Sequence, residues 1–204
     1  MSIFDIFKKI DENRAHGAPT FLVVGLGNPG KKYEDTRHNA GFKAIDHLAG
    51  KLGVKINRSK FGSLTAEADI SGKRVLLMKP QTFMNASGTA VIDAADYYRI
   101  PSTNVIVLCD DISFDPGKLR VRRDGSAGGH NGLKNIADWL GSENYPRVKI
   151  GVGKKPEEYD LADFVLSKMN DIEMRLMSGR FDDVCEAVKL IIEGNIERAM
   201  QICN

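Results

Sequence analysis

Residues 21–42 read FLVVGLGNPGKKYEDTRHNAGF. The apolar run Phe21-Leu22-Val23-Val24 stops at glycine, and Asn28-Pro29-Gly30 makes a turn. A polar, basic stretch then leads to His38-Asn39. A short apolar run followed by glycines reads as a buried strand of an α/β sheet, and the loop after its carboxyl end is where such sheets carry their chemistry.

Working outward, strand patterns fall at 64–70, 74–78, 105–109, 119–122 and 148–152. Apolar residues at helical spacing predict helices over 40–52, 86–98, 132–140 and 171–193, with a short helical turn over 195–202. Ser71-Gly72-Lys73 joins two strand patterns as a hairpin, so at least one strand pair is antiparallel. The expected fold is a single α/β domain with a mixed central sheet flanked by helices. It spans 19–204, and a leader over 1–18 precedes it. Ile3, Phe4, Phe7 and Ile10 share one helical face, so the leader reads as a short amphipathic helix docked on the domain or as a loose segment.

The chain has 204 residues, 42% of them apolar, with a formal net charge of +2. That suits one globular domain and leaves the partner undecided. No apolar run reaches transmembrane length, and the amino-terminal stretch lacks the layout of a secretory signal. Cys109, Cys185 and Cys203 are widely spaced and odd in number, which fits reduced thiols and a cytoplasmic protein.

Gly25, Gly27 and Gly30 spell G-x-G-x-x-G after the first strand, which predicts a dinucleotide site in an oxidoreductase. Pro29 and the loop-like residues 31–37 argue against it, because the fingerprint requires a helix to open there.

The polar candidates lie elsewhere at element ends. Asn28 and His38 follow the first strand. Asn85 precedes the second helix, Asp110-Asp111 end the strand at 105–109, and His130-Asn131 follow a glycine-rich loop. Each has a plainer reading: Asn85 as a helix cap, Asn28 as a turn residue, Asp110-Asp111 as a turn. Taken together, an imidazole, a carboxylate and several neutral amides suffice to activate water and to hold an oxyanion. No G-x-S-x-G elbow is present, and strand alternation turns Cys109 and Asp110 to opposite faces, so a covalent nucleophile fits less well. No metal or cofactor is expected, since His38, Asp110 and His130 would form a ligand set only if the fold brought them together.

Lys118, Arg120, Arg122, Arg123 and Lys134 are opposed in their window by Asp124 alone, and Lys149 follows on the next strand. Such a strip either tracks a phosphate backbone or protects an exposed sheet edge. Arg122, Lys134 and Lys149 are the candidate phosphate contacts.

Several motifs occur in order. They are Val24-Gly-Leu-Gly-Asn-Pro-Gly30 with Tyr33, Thr36-Arg-His-Asn-Ala-Gly41, Lys79-Pro-Gln-Thr-Phe-Met-Asn85 with Ser87-Gly88, Asp110-Asp111, and Gly125-Ser-Ala-Gly-Gly-His-Asn-Gly-Leu-Lys134. This combination resembles the bacterial-type peptidyl-tRNA hydrolase family from about Phe21 onward; Cys109 departs from the His or Tyr expected before the acid. The resemblance implies a monomeric protein that hydrolyses the ester between a peptide and the 3′ ribose of tRNA, so the expected partner is peptidyl-tRNA. It implies His38 as the base, Asp110 as the carboxylate that orients it, and Asn28, Asn85 and Asn131 as amides gripping the peptide and the reacting centre. Tyr33 and Phe83 would line the entrance for the tRNA end. A noncatalytic RNA-binding relative of the same fold is the alternative.

Overall fold

Strand β1 (Phe21–Gly25) is buried along nearly its whole length because both faces of the sheet are covered. Its side chains alternate as a strand requires: Val23 joins one apolar core, while Leu22 and Val24 join the other. The computed structural model describes residues 17–204. The leader helix expected over 1–18 therefore falls almost wholly outside the described residues.

β1 lies at the centre of a seven-stranded sheet of order β2-β3-β4-β1-β5-β7-β6. The other strands are β2 (Arg58–Lys60), β3 (Ser63–Ile70), β4 (Lys73–Pro80), β5 (Val105–Asp111), β6 (Leu119–Arg122) and β7 (Arg147–Gly151). β4, β1, β5 and β7 run parallel, while β2, β3 and β6 are antiparallel to their neighbours, so the sheet is mixed as expected. The hairpin at 71–72 joins β3 to β4. The sequence pattern does not show β2, which is short, polar and without alternation. Charged residues on β2 and β6 occupy the two outer strands, where they discourage pairing with another chain.

Helices cover both faces. α1 (Ala40–Lys51), α6 (Phe181–Ile192) and α7 (Ile196–Cys203) pack on one core, and α2 (Ser87–Tyr98) and α3 (Asn131–Leu140) on the other. α4 (Leu161–Leu166) lies in a stretch where the apolar pattern predicts no element. The single helix expected over 171–193 is two, α5 (Asp171–Ser178) and α6. The break falls at Gly179-Arg180, where Arg180 leaves helical geometry at φ −105° and ψ 3°. Apolar periodicity runs through the junction and hides it.

Gly25 and Gly27 of the glycine fingerprint serve packing, and no dinucleotide-type helix follows Gly30. A short 3₁₀ turn (Lys31–Tyr33) follows, and α1 begins only at Ala40. A Cβ on Gly25 would strike the Gly41 carbonyl and Ile45, and one on Gly27 would enter the Phe42 ring. These glycines let α1 close onto the end of β1, where the Phe42 amide donates to the Leu26 carbonyl at 3.0 Å.

Candidate active site

Polar loops converge at the carboxyl ends of β1, β4 and β5, around a cleft of about 600 Å³. Asn28, Tyr33, His38, Phe83, Asn85, Asp110, Asn131 and Lys149 all line it. Arg122 and Lys134 do not; they lie exposed on β6 and α3.

His38 sits in a 3₁₀ turn (Arg37–Asn39) and is buried. Its Nδ1 donates to Asp110 Oδ1 at 2.8 Å, which leaves the Nε2 lone pair as the ring's remaining polar position. The same oxygen accepts from His130 Nε2 at 3.1 Å. His130 caps α3: its Nδ1 accepts from the Gly132 and Leu133 amides at 3.1 and 3.3 Å. An Nδ1 that accepts two backbone N–H groups carries no proton, so the proton lies on Nε2 and points at Asp110. Burial by itself raises the Asp110 carboxyl. The two imidazoles and their hydrogen bonds outweigh it and hold the group well below the usual carboxylate range.

His38, Asp110 and His130 are therefore brought together, with candidate ligand atoms within 4.8 Å of one another. Hydrogen bonding accounts for the cluster without a cation. For His130 to ligate through Nε2 it would have to shed the proton shared with Asp110 while Nδ1 still serves the cap.

Asp111 faces away from this pair. It bonds Lys149 Nζ at 2.6 Å and accepts from the Ser113 amide at 2.8 Å. Lys149 is thus drawn into the cleft wall, because a buried carboxylate needs a partner.

The asparagines differ in how they are held. Asn28 Oδ1 accepts from the Met84 amide at 2.8 Å, which fixes the side chain and leaves Nδ2 as the free donor. Asn39 clamps the Asn28 backbone from both sides, its Oδ1 accepting from the amide at 2.8 Å and its Nδ2 donating to the carbonyl at 3.0 Å. Asn85 caps no helix; the N-cap of α2 is Ala86, and Asn85 stands exposed in the turn before it. Asn131 is likewise exposed, in the first turn of α3. Tyr33 and Phe83 meet edge to face, their centroids 6.3 Å apart.

Arg147 carries no signal in the sequence, where it reads as an ordinary strand-edge cation. It is 1% exposed and donates to the Gly125, Ser126 and Glu143 carbonyls at 2.6, 3.1 and 2.9 Å, pinning the glycine-rich loop that carries His130. Asn39 is visible beside His38, but only its distant partner reveals what it does.

The cleft sets a buried imidazole–carboxylate pair among neutral amides at one end of a mixed α/β sheet, the layout of a site that can activate water. A sequence model of the peptidyl-tRNA hydrolase family matches residues 22–204, and the chain belongs to that family. It is 50% identical to the peptidyl-tRNA hydrolase of Caldanaerobacter subterraneus subsp. tengcongensis over 184 residues, 90% of this chain and 99% of the relative. The Clostridium acetobutylicum peptidyl-tRNA hydrolase is 47% identical over 90% of this chain and 97% of its own length. Among solved structures, the Acinetobacter baumannii peptidyl-tRNA hydrolase superposes with a TM-score of 0.85 at 36% identity, covering 90% of this chain and 94% of that one.

Proposed function

We propose that this chain hydrolyses the ester joining a peptide to the 3′ ribose of tRNA, with His38 as general base and Asp110 as the group that orients it. The observation that carries the assignment of roles is the 2.8 Å bond from His38 Nδ1 to Asp110. With Nδ1–H so engaged, Nε2 is the basic atom. It removes a proton from water as the water oxygen bonds to the ester carbonyl carbon, and Asp110 favours the imidazolium that forms. When the tetrahedral intermediate collapses, the C–O bond to the ribose breaks, and the departing 3′ oxygen takes the proton back. An ester is already activated, so a general base suffices.

His130 adds a second N–H to the same carboxylate and helps to keep it ionised. Asn28 offers Nδ2 to the reacting carbonyl or to the peptide, with Asn85 and Asn131 beside it as neutral donors. Amides of this kind also explain a preference for blocked over free aminoacyl groups, since a free ammonium would bring a charge that must be desolvated. Tyr33 and Phe83 line the route of the terminal nucleotide. Arg122 and Lys134 meet phosphates of the acceptor stem, and Lys149 does so only at the cleft itself.

Residues 19–204 are taken as the hydrolase domain, preceded by the 1–18 leader, and the working form as a cytoplasmic monomer. Among the described residues no helix is long and apolar enough to cross a membrane.

The test is release of the blocked amino acid from an N-acetyl-aminoacyl-tRNA. His38→Ala is expected to lower kcat by about 10²–10⁴-fold with the fold intact. Release that persists in this variant would remove His38 from the mechanism. RNA binding without any release by the wild type would favour the noncatalytic alternative.

A further inference from the structure

The residue before the proposed base makes more polar contacts than any reading of its neighbours suggests. Arg37 is buried, and every nitrogen of its guanidinium has a hydrogen-bond partner. Nη1 donates to the Val152 carbonyl at 2.8 Å, beyond the end of β7. Nη2 donates to both oxygens of Glu173 at 3.0 and 3.1 Å. Nε donates to Ser167 Oγ at 3.2 Å, and the Arg37 amide donates to the Ser167 carbonyl at 3.1 Å. The guanidinium carbon lies 4.8 Å from the centroid of the Phe164 ring.

These partners have a common position. Phe164 and Ser167 belong to α4 and its C-cap, and α4 presents Leu161, Ala162, Val165 and Leu166 to the cleft. Glu173 closes the capping box of α5, where its Oε2 also accepts from the Asn170 amide at 2.9 Å. α4 has six residues, too few to hold itself in place by helix formation alone. The segment carrying His38 holds it through Phe164 and Ser167, residues that do not line the cleft. The Thr36–Lys168 bridge and the bond from the Met169 amide to the Asp35 carbonyl (3.3 Å) continue the same seam.

We propose that Arg37 is a positioning residue for substrate binding: through Glu173, Val152 and Ser167 it holds α4 as the apolar wall of the cleft and sets that wall's distance from His38. His38 has its own support in Asp110, so loosening Arg37 weakens the grip on the peptide more than it disturbs the base. The proposal rests on the hydrolase reading for its kinetic consequence, whereas its structural half stands apart from activity. A lysine cannot replace this residue, because one ammonium cannot serve three partners spread around a planar fork.

The experiment compares wild type, Arg37→Lys and Glu173→Gln in two assays. With N-acetyl-aminoacyl-tRNA, both variants should raise KM by about tenfold while kcat stays within about threefold. In amide hydrogen exchange without substrate, residues 161–167 should exchange at least about tenfold faster in both variants, with α1 unchanged. A fall in kcat at constant KM would mean that Arg37 acts through His38 and would overturn the proposal. So would unchanged exchange over 161–167, or faster exchange spread equally over α1. Wild-type protein inactive on the substrate would count against the hydrolase reading, and the exchange comparison would then decide the structural half alone.

Discussion

Replacing Asp110 by asparagine keeps the side chain's size and removes its charge, while two imidazole N–H groups still point at it. Hydrolysis should fall by about 10²-fold or more, because the imidazolium loses its counter-charge. Stability changes with a definite sign. The folded carboxyl is held below its ordinary value, which is about 3.9 in an unfolded chain. Its stabilising effect is therefore present in full above about pH 4 and is lost as pH falls through the lower folded value. Urea unfolding at pH 4.5 and at pH 3, both below the ordinary imidazole range, should show the gap between wild type and Asp110→Asn shrinking on acidification; a widening gap would contradict the assignment. Asn39 is the second test at this scale. Asn39→Ala strips both bonds from the Asn28 backbone and should cost about 1–3 kcal/mol, with a further loss of kcat/KM as Asn28 drifts.

At the level of elements, α1 carries two glycines that alanine should affect in opposite directions. A Cβ on Gly41 would overlap the Leu108 carbonyl and the Leu26 backbone, neither of which can yield without disturbing the sheet. Gly41→Ala should destabilise by about 1–3 kcal/mol or more. A Cβ on Gly50 meets nothing within 4 Å, so Gly50→Ala should stabilise by about 0.4–1 kcal/mol. Thermal or urea unfolding of the pair checks this, and equal effects would mean that α1 does not seat on β1 through Gly41. The elements that escape a sequence reading share a cause. β2 is three polar residues recruited by the edge of β3, and α4 is too short for its period to show. The α5–α6 break hides under continuous apolar spacing, although the capping box at Asn170 and Glu173 marks where α5 begins.

Over the whole molecule, cations fall into two groups. Arg122 and Lys134 are exposed, and among the described residues no carboxylate pairs with either. Lys149 is paired with Asp111 in the cleft, and Arg123 with Glu197. A cation that neutralises a phosphate displaces a counterion condensed on the RNA, and exposed cations without a carboxylate partner are the ones free to do so. Arg122→Gln with Lys134→Gln should therefore raise KM for tRNA substrates. The slope of log KM against log salt should flatten by about 0.7–0.9 for every phosphate that is no longer neutralised. An unaltered slope would detach the strip from tRNA binding.

Sequence alone determined the backbone plan: the buried strand at 21–25, the polar loop behind it, the mixed sheet, and the motifs that carry His38, Asn85, Asp110 and Asn131 to element ends. Local chain preferences and apolar alternation act over a few residues, and a sequence displays them directly. Tertiary structure decided which groups meet. It turned Asp110 rather than Asp111 to the imidazoles, and added His130 to the same oxygen. It withdrew Lys149 into the cleft and tied Arg37 to Glu173. Those partners stand 72 residues apart for His38 and Asp110, and 136 for Arg37 and Glu173. Contacts at such separations depend on how the layers pack and on the need of each buried charge for a partner, and neither is written in local spacing.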